Sequence, residues 1–254
     1  MIELINVEKT FHSHKVLDGV DIKIKKGETK VIIGRSGCGK SVLLKHIVGI
    51  LRPDKGSVLV EGEDISRLNE KQLNITRKKI GFVFQGGALF DSLSVEENVG
   101  FNYFEHTKIP RKEILKQVEE SLSLVELHGI GSLMPSELSG GMKKRVSLAR
   151  AIFSRPAIIL YDEPTTGVDP ITAAAINELI RSLHDKLQVT SIVVTHDMTS
   201  AFYVADSIAM LYKGKIIFDG SPTEIQNTTH PVVKQFITGA ANGPITESID
   251  TDHP

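Results

Sequence analysis

Apolar residues follow two patterns along this chain, short unbroken runs and helical repeats, and together they predict strands alternating with helices. The runs are rich in β-branched residues and predict buried strands at 29–33, 57–60, 80–85, 157–161 and 191–195. Residues 2–33 also alternate between apolar and polar positions, which predicts antiparallel strands with a turn at Lys25–Glu28. A hairpin is predicted over residues 207–218, with Lys213-Gly214 as its turn.

Helical spacing of apolar residues is clearest just after residue 41 and between residues 86 and 135. Val42–Val48 is apolar at helical spacing. Ser94–Glu97 has the sequence of a capping box, and Pro110 precedes a long amphipathic run that ends at Leu127. This block interrupts the alternation of strands and helices, so we predict a helical subdomain inserted at about residues 86–155.

Composition narrows the class of protein. The 254 residues allow one large domain or two small ones, and 30 Lys+Arg against 31 Asp+Glu leave a net charge of −1, which does not favour binding to nucleic acid. The single cysteine, Cys38, excludes an intramolecular disulfide and favours a reducing compartment. Neither a signal peptide nor an apolar run long enough to span a membrane is expected from the sequence.

The last residues differ in composition from the rest of the chain. Residues 240–254 contain three acidic residues and two prolines, and they contain no Lys or Arg. Few large apolar side chains are available there to bury. We therefore predict a folded domain over residues 1–239 and a flexible acidic tail over residues 240–254.

The stretch from Gly34 to Ser41 fits the phosphate-loop (P-loop) pattern G-x-x-x-x-G-K-[ST] at every fixed position. It lies between a predicted strand and a predicted helix, which is the context that the motif requires. Lys40 would bring positive charge to the outer phosphates, and the Ser41 hydroxyl would ligate Mg²⁺. The sequence therefore predicts binding of a nucleoside triphosphate by Gly34, Arg35, Ser36, Gly37, Cys38, Gly39, Lys40 and Ser41.

Three predicted strands end on polar side chains that suit phosphate chemistry. Gln85 could ligate Mg²⁺ or orient a water molecule through its side-chain oxygen. Asp162 is suited to hold Mg²⁺, and Glu163 to polarise the attacking water as a general base, although an acidic pair before proline is often only a turn. His196 could stabilise the transferred γ-phosphate or have a purely structural role.

A second candidate anion site occurs at Ser139-Gly140-Gly141, because a serine and two glycines there precede a predicted helix, although the same residues are also typical of a flexible helix start. A protein with one P-loop has little use for a second phosphate cradle unless two copies meet.

Two further features are ambiguous from the sequence. Phe11 lies in a polar stretch, where it is either a platform for a nucleotide base or an ordinary half-buried side chain. His12 and His14 have metal-like spacing without a third ligand, so we interpret them as solvated loop residues.

Asp169-Pro170 has the sequence of a helix start.

The order and approximate spacing of these motifs resemble those of the ATP-binding cassette (ABC) ATPases over residues 2–238. The resemblance implies an α/β P-loop NTPase fold with a RecA-like core sheet, an N-terminal antiparallel β part and an inserted helical subdomain. It implies ATP and Mg²⁺ as cofactors and two cassettes facing head to tail. Each ATP would then lie between the P-loop of one protomer and Ser139, Gly140 and Gly141 of the other.

The resemblance also implies roles for single residues. Phe11 would stack on adenine, Gln85 would link Mg²⁺ to a transmembrane partner, and Asp169 would signal across the dimer. The catalytic residues would be Glu163, His196 and Lys40, and the metal ligands Ser41, Gln85 and Asp162.

Two departures from the family pattern bear on the subfamily. Met142 follows Leu138–Gly141 where glutamine is usual, and Gly167-Val168-Asp169 stands where the family has a small residue, Leu and Asp. The sequence Leu-Ser-Gly-Gly-Met, together with residues 82–99, is similar to the ATPases of bacterial lipid-asymmetry (Mla/Mce-type) phospholipid transporters.

That similarity implies a homodimer at the cytoplasmic face of the inner membrane, bound peripherally to an integral-membrane permease through the region after Gln85. Ala88, Leu89 and Phe90 are the candidate contacts. The similarity also implies lipid-binding and regulatory subunits as partners, and it does not imply nucleic acid as a partner. Two alternatives stay open: the same motor with another cargo, such as amino acids or lipoproteins, and a regulator of ribosomes or nucleic acid without a permease.

Overall fold

The computed structural model describes the backbone of residues 1–251 and the side chains of residues 1–247. The strands are β1 (Ile2–Phe11), β2 (His14–Ile24), β3 (Thr29–Ile33), β4 (Lys55–Val60), β5 (Glu63–Asp64), β6 (Ile80–Val83), β7 (Ile158–Asp162), β8 (Thr190–Thr195), β9 (Ser207–Tyr212) and β10 (Lys215–Gly220). The helices are α1 (Lys40–Ile47), α2 (Glu70–Arg77), α3 (Val95–His106), α4 (Arg111–Leu124), α5 (Gly140–Ile152), α6 (Pro170–Leu187), α7 (Met198–Val204), α8 (Pro222–Gln226), α9 (Pro231–Thr238) and α10 (Pro244–Thr251).

The predicted buried runs all form strands, but β6 ends earlier than expected. Its last residue is Val83, so Gln85 follows the strand instead of ending it. The chain turns here because Gly86 and Gly87 both have positive φ and the Gly87 N–H donates to Phe84 O at 2.9 Å.

The N-terminal antiparallel part forms a four-stranded sheet in the order β2-β1-β4-β5. The prediction that it extends to residue 33 is wrong, because β3 lies in the other sheet and pairs in parallel with β9. Ile2, Leu4 and Val7 of β1 are buried, and the alternation slips between Leu4 and Val7. The slip occurs where Asn6 adopts φ 49 and donates its N–H to Asp21 Oδ1 at 2.8 Å.

The chain divides into two compact units, residues 1–67 with 194 onward, and residues 68–193. In the first unit, β9 pairs in parallel with β3 and antiparallel with β10, which confirms the hairpin predicted over residues 207–218. In the second unit, β7 pairs in parallel with β6. Parallel strands joined through helices, together with the separate antiparallel sheet, agree with the predicted fold class.

Helices α3, α4 and α5 occupy the predicted helical block between β6 and β7. Ser94 forms the predicted capping box, because its side chain accepts from the Glu97 N–H while Glu97 accepts from the Ser94 N–H. The second unit includes these helices together with β6, β7, α2 and α6, so it extends beyond residues 86–155 on both sides.

A flexible tail was predicted from residue 240 onward, but in the structure Pro244–Thr251 forms helix α10. The buried Gln235 side chain of α9 explains the difference. Its Oε1 accepts the Ile245 N–H at 2.7 Å, and its Nε2 donates to Ala240 O at 3.2 Å and Thr246 Oγ1 at 3.3 Å. A single amide therefore organises the segment, and Ile245 is buried. Residues 252–254 of the predicted tail lie outside the described residues.

We expect Gln235→Ala to release residues 240–247 from α9, because the substitution removes three side-chain hydrogen bonds. Amide hydrogen exchange should accelerate at Ile245 and Thr246 while β3 exchanges as before. Gln226→Ala, at the end of α8, is the control. Unchanged exchange at Ile245 in the Gln235 variant would contradict the anchoring role of the amide.

Within residues 1–251, none of the helices combines the length and the hydropathy that crossing a membrane requires.

Candidate functional site

The P-loop, residues 34–41, joins β3 to α1 in the first unit. A Cβ at Gly34, which has φ 157, would lie 2.5 Å from Leu211 O and 2.7 Å from Cys38 Sγ. At Gly39, the N-cap of α1 with φ 106, it would lie 2.9 Å from a methyl carbon of Val16. Both positions therefore require glycine, and the path of the loop depends on them.

Lys40 is the first residue of α1, and its side chain is buried. The ammonium folds back over the loop, where Nζ donates to Gly34 O at 2.8 Å and to Arg35 O at 3.1 Å. The loop thus contains a positive charge beside the N-terminus of a helix, which is an arrangement that attracts phosphate. Ser41 is half-buried in the same helical turn, and Arg35, Ser36 and Gly37 are exposed.

Phe11 lies at the end of β1 with its ring partly exposed. Lys9 Nζ is 5.7 Å from the ring centroid, a cation–π distance. His12 and His14 are exposed beside it, and the described residues contain no group of three or more His, Cys, Asp or Glu side chains that could hold a metal ion. The ring is thus available for stacking. His12 lies in the turn as expected, whereas His14 is the first residue of β2 and pairs with Phe11, so the interpretation of His14 as a loop residue is wrong.

His196 directly follows β8 and is exposed. The next residue, Asp197, caps α7 by accepting the N–H groups of Thr199 and Ser200. The imidazole is therefore presented at the junction between a strand and a capped helix.

In the second unit, the structure brings Gln85 and the Asp162–Glu163 pair to one edge of the sheet. Val83 pairs with Tyr161 in parallel β6 and β7, so both strands end at the same edge. This carboxyl edge is where parallel sheets bind ligands. Gln85 is exposed there, whereas Asp162 is 6% and Glu163 7% exposed.

The backbone of Glu163 is unusual, because this residue has φ 48, a left-handed conformation that non-glycine residues seldom adopt. Thr166 stabilises the turn. Its N–H donates to Glu163 O and its Oγ1 donates to Glu163 Oε2, both at 3.2 Å. The turn therefore fixes both the backbone and the carboxylate of Glu163 at the end of β7.

Ser139 is the N-cap of α5, and its Oγ accepts the Met142 N–H at 3.2 Å. Ser139 and Gly140 are exposed. A Cβ on Gly141 would lie 2.8 Å from Thr172 Cγ2, so glycine allows the start of α5 to approach the start of α6.

Asp169 caps α6 as predicted, since its Oδ1 accepts the N–H groups of Ile171 and Thr172 at 3.0 Å. The Thr172 hydroxyl also donates to Asp169 at 2.6 Å and lowers the pKa of this carboxyl. Thr172 therefore bonds to Asp169 and lies close to Gly141, so the structure places two predicted motifs side by side.

The segment after Gln85 is anchored by two residues that the sequence analysis missed. The Arg150 guanidinium, on α5, donates to Gly87 O at 2.7 Å and Ala88 O at 2.8 Å. The buried Asn98 side chain accepts the Phe90 N–H at 2.8 Å and donates to Phe90 O, Leu93 O and Ser94 O. The available signal was a polar residue within the helical repeat, which suggests a buried partner but does not identify it.

Comparison with known proteins agrees with this geometry. Residues 17–166 match the family described as ABC transporter. The chain belongs to this family. It is 41% identical over 245 residues to the intermembrane phospholipid transport system ATP-binding protein MlaF of Haemophilus influenzae, covering 96% of this chain and 93% of that protein.

Two other relatives of the chain carry names other than MlaF. The chain is 43% identical over 261 residues to the chloroplastic protein TRIGALACTOSYLDIACYLGLYCEROL 3 of Arabidopsis thaliana, covering 96% of this chain and 75% of that protein. It is 40% identical over 251 residues to the probable ribonucleotide transport ATP-binding protein mkl of Mycobacterium leprae, covering 99% and 72%.

Among solved structures, the chain resembles the dimeric ATP-binding cassette MJ0796 in a post-hydrolysis state bound to ADP and Pi. The TM-score is 0.81 at 34% identity, over 87% of this chain and 98% of the other. The predicted family and fold class are confirmed. The protein is thus an ATP-binding, ATP-hydrolysing subunit of the ABC transporter family, whose cassettes form dimers.

Proposed function

We propose that this protein is the ATP-hydrolysing motor of a transporter that moves phospholipid between membranes. The observation that carries the proposal is near-full-length similarity to MlaF of Haemophilus influenzae and, at 38% identity, to MlaF of Escherichia coli. Both are named for intermembrane phospholipid transport. The phospholipid-transporter resemblance of Leu138–Met142 supports the same assignment.

The P-loop would hold the phosphates of ATP, with Lys40 at the outer phosphates and Phe11 against the adenine. Ser41, Gln85 and Asp162 offer hydroxyl, amide and carboxylate oxygens, a donor set that suits Mg²⁺. When bound, the metal would neutralise charge that develops on the phosphates. Glu163 would accept a proton from the attacking water, and His196 would contact the γ-phosphate.

The active form would be a homodimer in which Ser139, Gly140 and Gly141 of one protomer contact the ATP held by the other. The exposure of Ser139 and Gly140 at the start of α5 supports this role, because backbone N–H groups at a helix N-terminus stabilise phosphate charge. Asp169 would signal to the partner protomer that ATP is bound, through its contact with Thr172.

The segment after Gln85 would bind an integral-membrane permease at the cytoplasmic face of the inner membrane. Phe90 is 46% exposed and its ring packs on Phe101 with centroids 4.7 Å apart. A cavity of about 540 Å³, lined in part by Phe82, Val99 and Phe101, opens in the same unit. Hydrogen bonds with Arg150 and Asn98 hold the segment in place, so it offers a preformed apolar surface. Lipid-binding and regulatory subunits would complete the assembly.

The test is purification of the tagged protein from membranes in mild detergent, with subunits and lipids identified by mass spectrometry. A permease carrying phospholipid is the expected result. A permease carrying ribonucleotide, amino acid or lipoprotein would support the role as a transporter motor and assign a different cargo to it. Ribosomes or nucleic acid without a permease would contradict a transport role.

We expect Phe90→Asp to reduce recovery of the permease at least about tenfold, because a charge at the centre of an apolar contact is costly to desolvate. Ile75→Asp is the matched control, because Ile75 is an exposed apolar residue of α2 in the same unit. Equal recovery with both variants would place the permease contact elsewhere.

One specific observation favours a second cargo. The mkl protein of Mycobacterium leprae carries a name that refers to ribonucleotide transport, and its similarity to this chain is nearly as high. The lipid analysis of the purified complex separates the two cargoes.

A further inference from the structure

The ring of Phe11 lies beside a lysine whose own position is fixed. Lys9 Nζ is 5.7 Å from the ring centroid, and only 16% of the Lys9 side chain is exposed. The ammonium donates to Asp54 Oδ1 at 2.7 Å and to Arg52 O at 2.9 Å. Lysine side chains have many rotamers, so two acceptors that hold this head group also limit the movement of the ring beside it.

Asp54 holds the backbone of β1 at the same point. Its Oδ2 accepts the Thr10 N–H at 2.7 Å, and its own N–H donates to Glu8 O at 2.8 Å. The hydrogen bond from the Lys9 ammonium, and after it that from the Thr10 N–H, lowers the pKa of the Asp54 carboxyl, so the group is ionised at neutral pH. The residues on either side of Lys9 are therefore tied to the same aspartate as the Lys9 side chain.

This aspartate belongs to the segment that follows the P-loop helix. After α1 the chain turns at Gly49, which has φ 68, and the Leu51 N–H donates to Lys45 O at 3.0 Å. Residues 52–54 come next, so the contacts with Lys9 and Thr10 join the C-terminal end of α1 to the end of β1. The P-loop at the start of α1 and the ring at the end of β1 both lie in the first unit.

We propose that Lys9 and Asp54 form a brace that positions Phe11 for the nucleotide base and fixes its distance from the phosphate-binding loop. Both are positioning residues, which act through the ring and not by contact with the nucleotide. A brace of this kind raises the affinity for ATP because the ring is already ordered before the base binds. The inference rests on the stacking role proposed for Phe11.

The test measures equilibrium binding of two ligands to the full chain, ATP and inorganic tripolyphosphate, which has phosphates and no base. Phe11→Ala is the reference and should weaken ATP binding about tenfold, in the range that stacking on an aromatic side chain contributes. Lys9→Met keeps the length of the side chain and removes the ammonium. It should weaken ATP binding about threefold to fivefold and change tripolyphosphate binding less than about twofold, because only ATP uses the ring. Lys9→Arg should restore most of the loss, since it keeps a cationic donor for Asp54.

Lys23→Met is the matched control, because Lys23 Nζ pairs with Glu3 Oε1 at 2.7 Å near the opposite end of β1. It should bind ATP as the unmodified protein does. In a Phe11→Ala background, Lys9→Met should have little further effect on ATP binding, because the ring through which it acts is absent.

A second variant covers the case in which Lys9→Met does not fold. Asp54→Asn removes the same ion pair, and its amide oxygen can still accept the Thr10 N–H, so the same comparison of ligands applies to it. Failure of both variants to fold would contradict the proposal, because positioning the ring is not a requirement for folding.

Three binding results would overturn the brace while leaving the base platform intact. The first is an equal loss of ATP and tripolyphosphate binding in Lys9→Met, and the second is an equal loss of ATP binding with and without the Phe11 ring. The third is normal ATP binding in Lys9→Met when Phe11→Ala weakens it. Normal ATP binding in Phe11→Ala would instead remove the stacking role from the proposed function, and the brace with it.

Discussion

Glu163→Gln should bind ATP normally and lose turnover by about 10²-fold or more, in the range that general-base catalysis contributes. Glutamine has the shape of glutamate, so Thr166 Oγ1 can still donate to the side-chain oxygen. The backbone requirement at φ 48 is also unchanged, because both side chains branch at the same atom. The amide, however, cannot take a proton from water. Steady-state ATPase assays and equilibrium binding of ATP measure the two properties separately.

The control for this variant is Glu178→Gln, which makes the same chemical change at an exposed position of α6. It should turn over ATP at the rate of the unmodified protein. Wild-type-like turnover in Glu163→Gln would remove the general-base assignment. Loss of ATP binding in Glu163→Gln would mean that the carboxylate serves the nucleotide complex instead of the chemical step.

Local sequence patterns predicted the parts of the fold whose determinants lie close together in the chain. The P-loop depends on its own glycines and on the strand and helix beside it, and the capping box at Ser94 spans four residues. The buried run of β7 likewise predicted the edge at which Asp162 and Glu163 lie. In each case a short stretch of sequence contains the main physical cause.

Features that depend on distant partners could not be predicted in this way. Arg150 holds carbonyl groups 62 and 63 residues earlier in the chain. Helix α10 forms where Gln235 supplies hydrogen bonds, although composition alone predicted a tail. The burial of Lys144 was likewise not predicted, because an amphipathic helix normally exposes its lysines. A polar residue in a helical repeat indicates that a partner exists, and only the folded chain identifies it.

Gly34→Ala should both destabilise the protein and weaken ATP binding, because the added methyl group has no room. Its Cβ would lie 2.5 Å from Leu211 O, a backbone atom of β9, and 2.7 Å from Cys38 Sγ. Relief requires β3 and β9 to separate or the P-loop to shift, and overpacking of this kind costs about 1–3 kcal/mol. The carbonyl that accepts from Lys40 Nζ also belongs to Gly34, so the lysine should move with the loop.

We therefore expect Gly34→Ala to lower Tm by several degrees and ATP affinity at least about tenfold, since small displacements of positioned groups have large effects on binding and catalysis. Gly27→Ala is the control. Gly27 also has positive φ, at 70, but a Cβ there meets no heavy atom within 4 Å. It should show only the modest backbone strain and bind ATP normally. If Gly34→Ala binds ATP as tightly as Gly27→Ala, close packing of the P-loop on β9 does not determine the shape in which the loop binds phosphate. The backbone preference of the loop itself would then determine that shape.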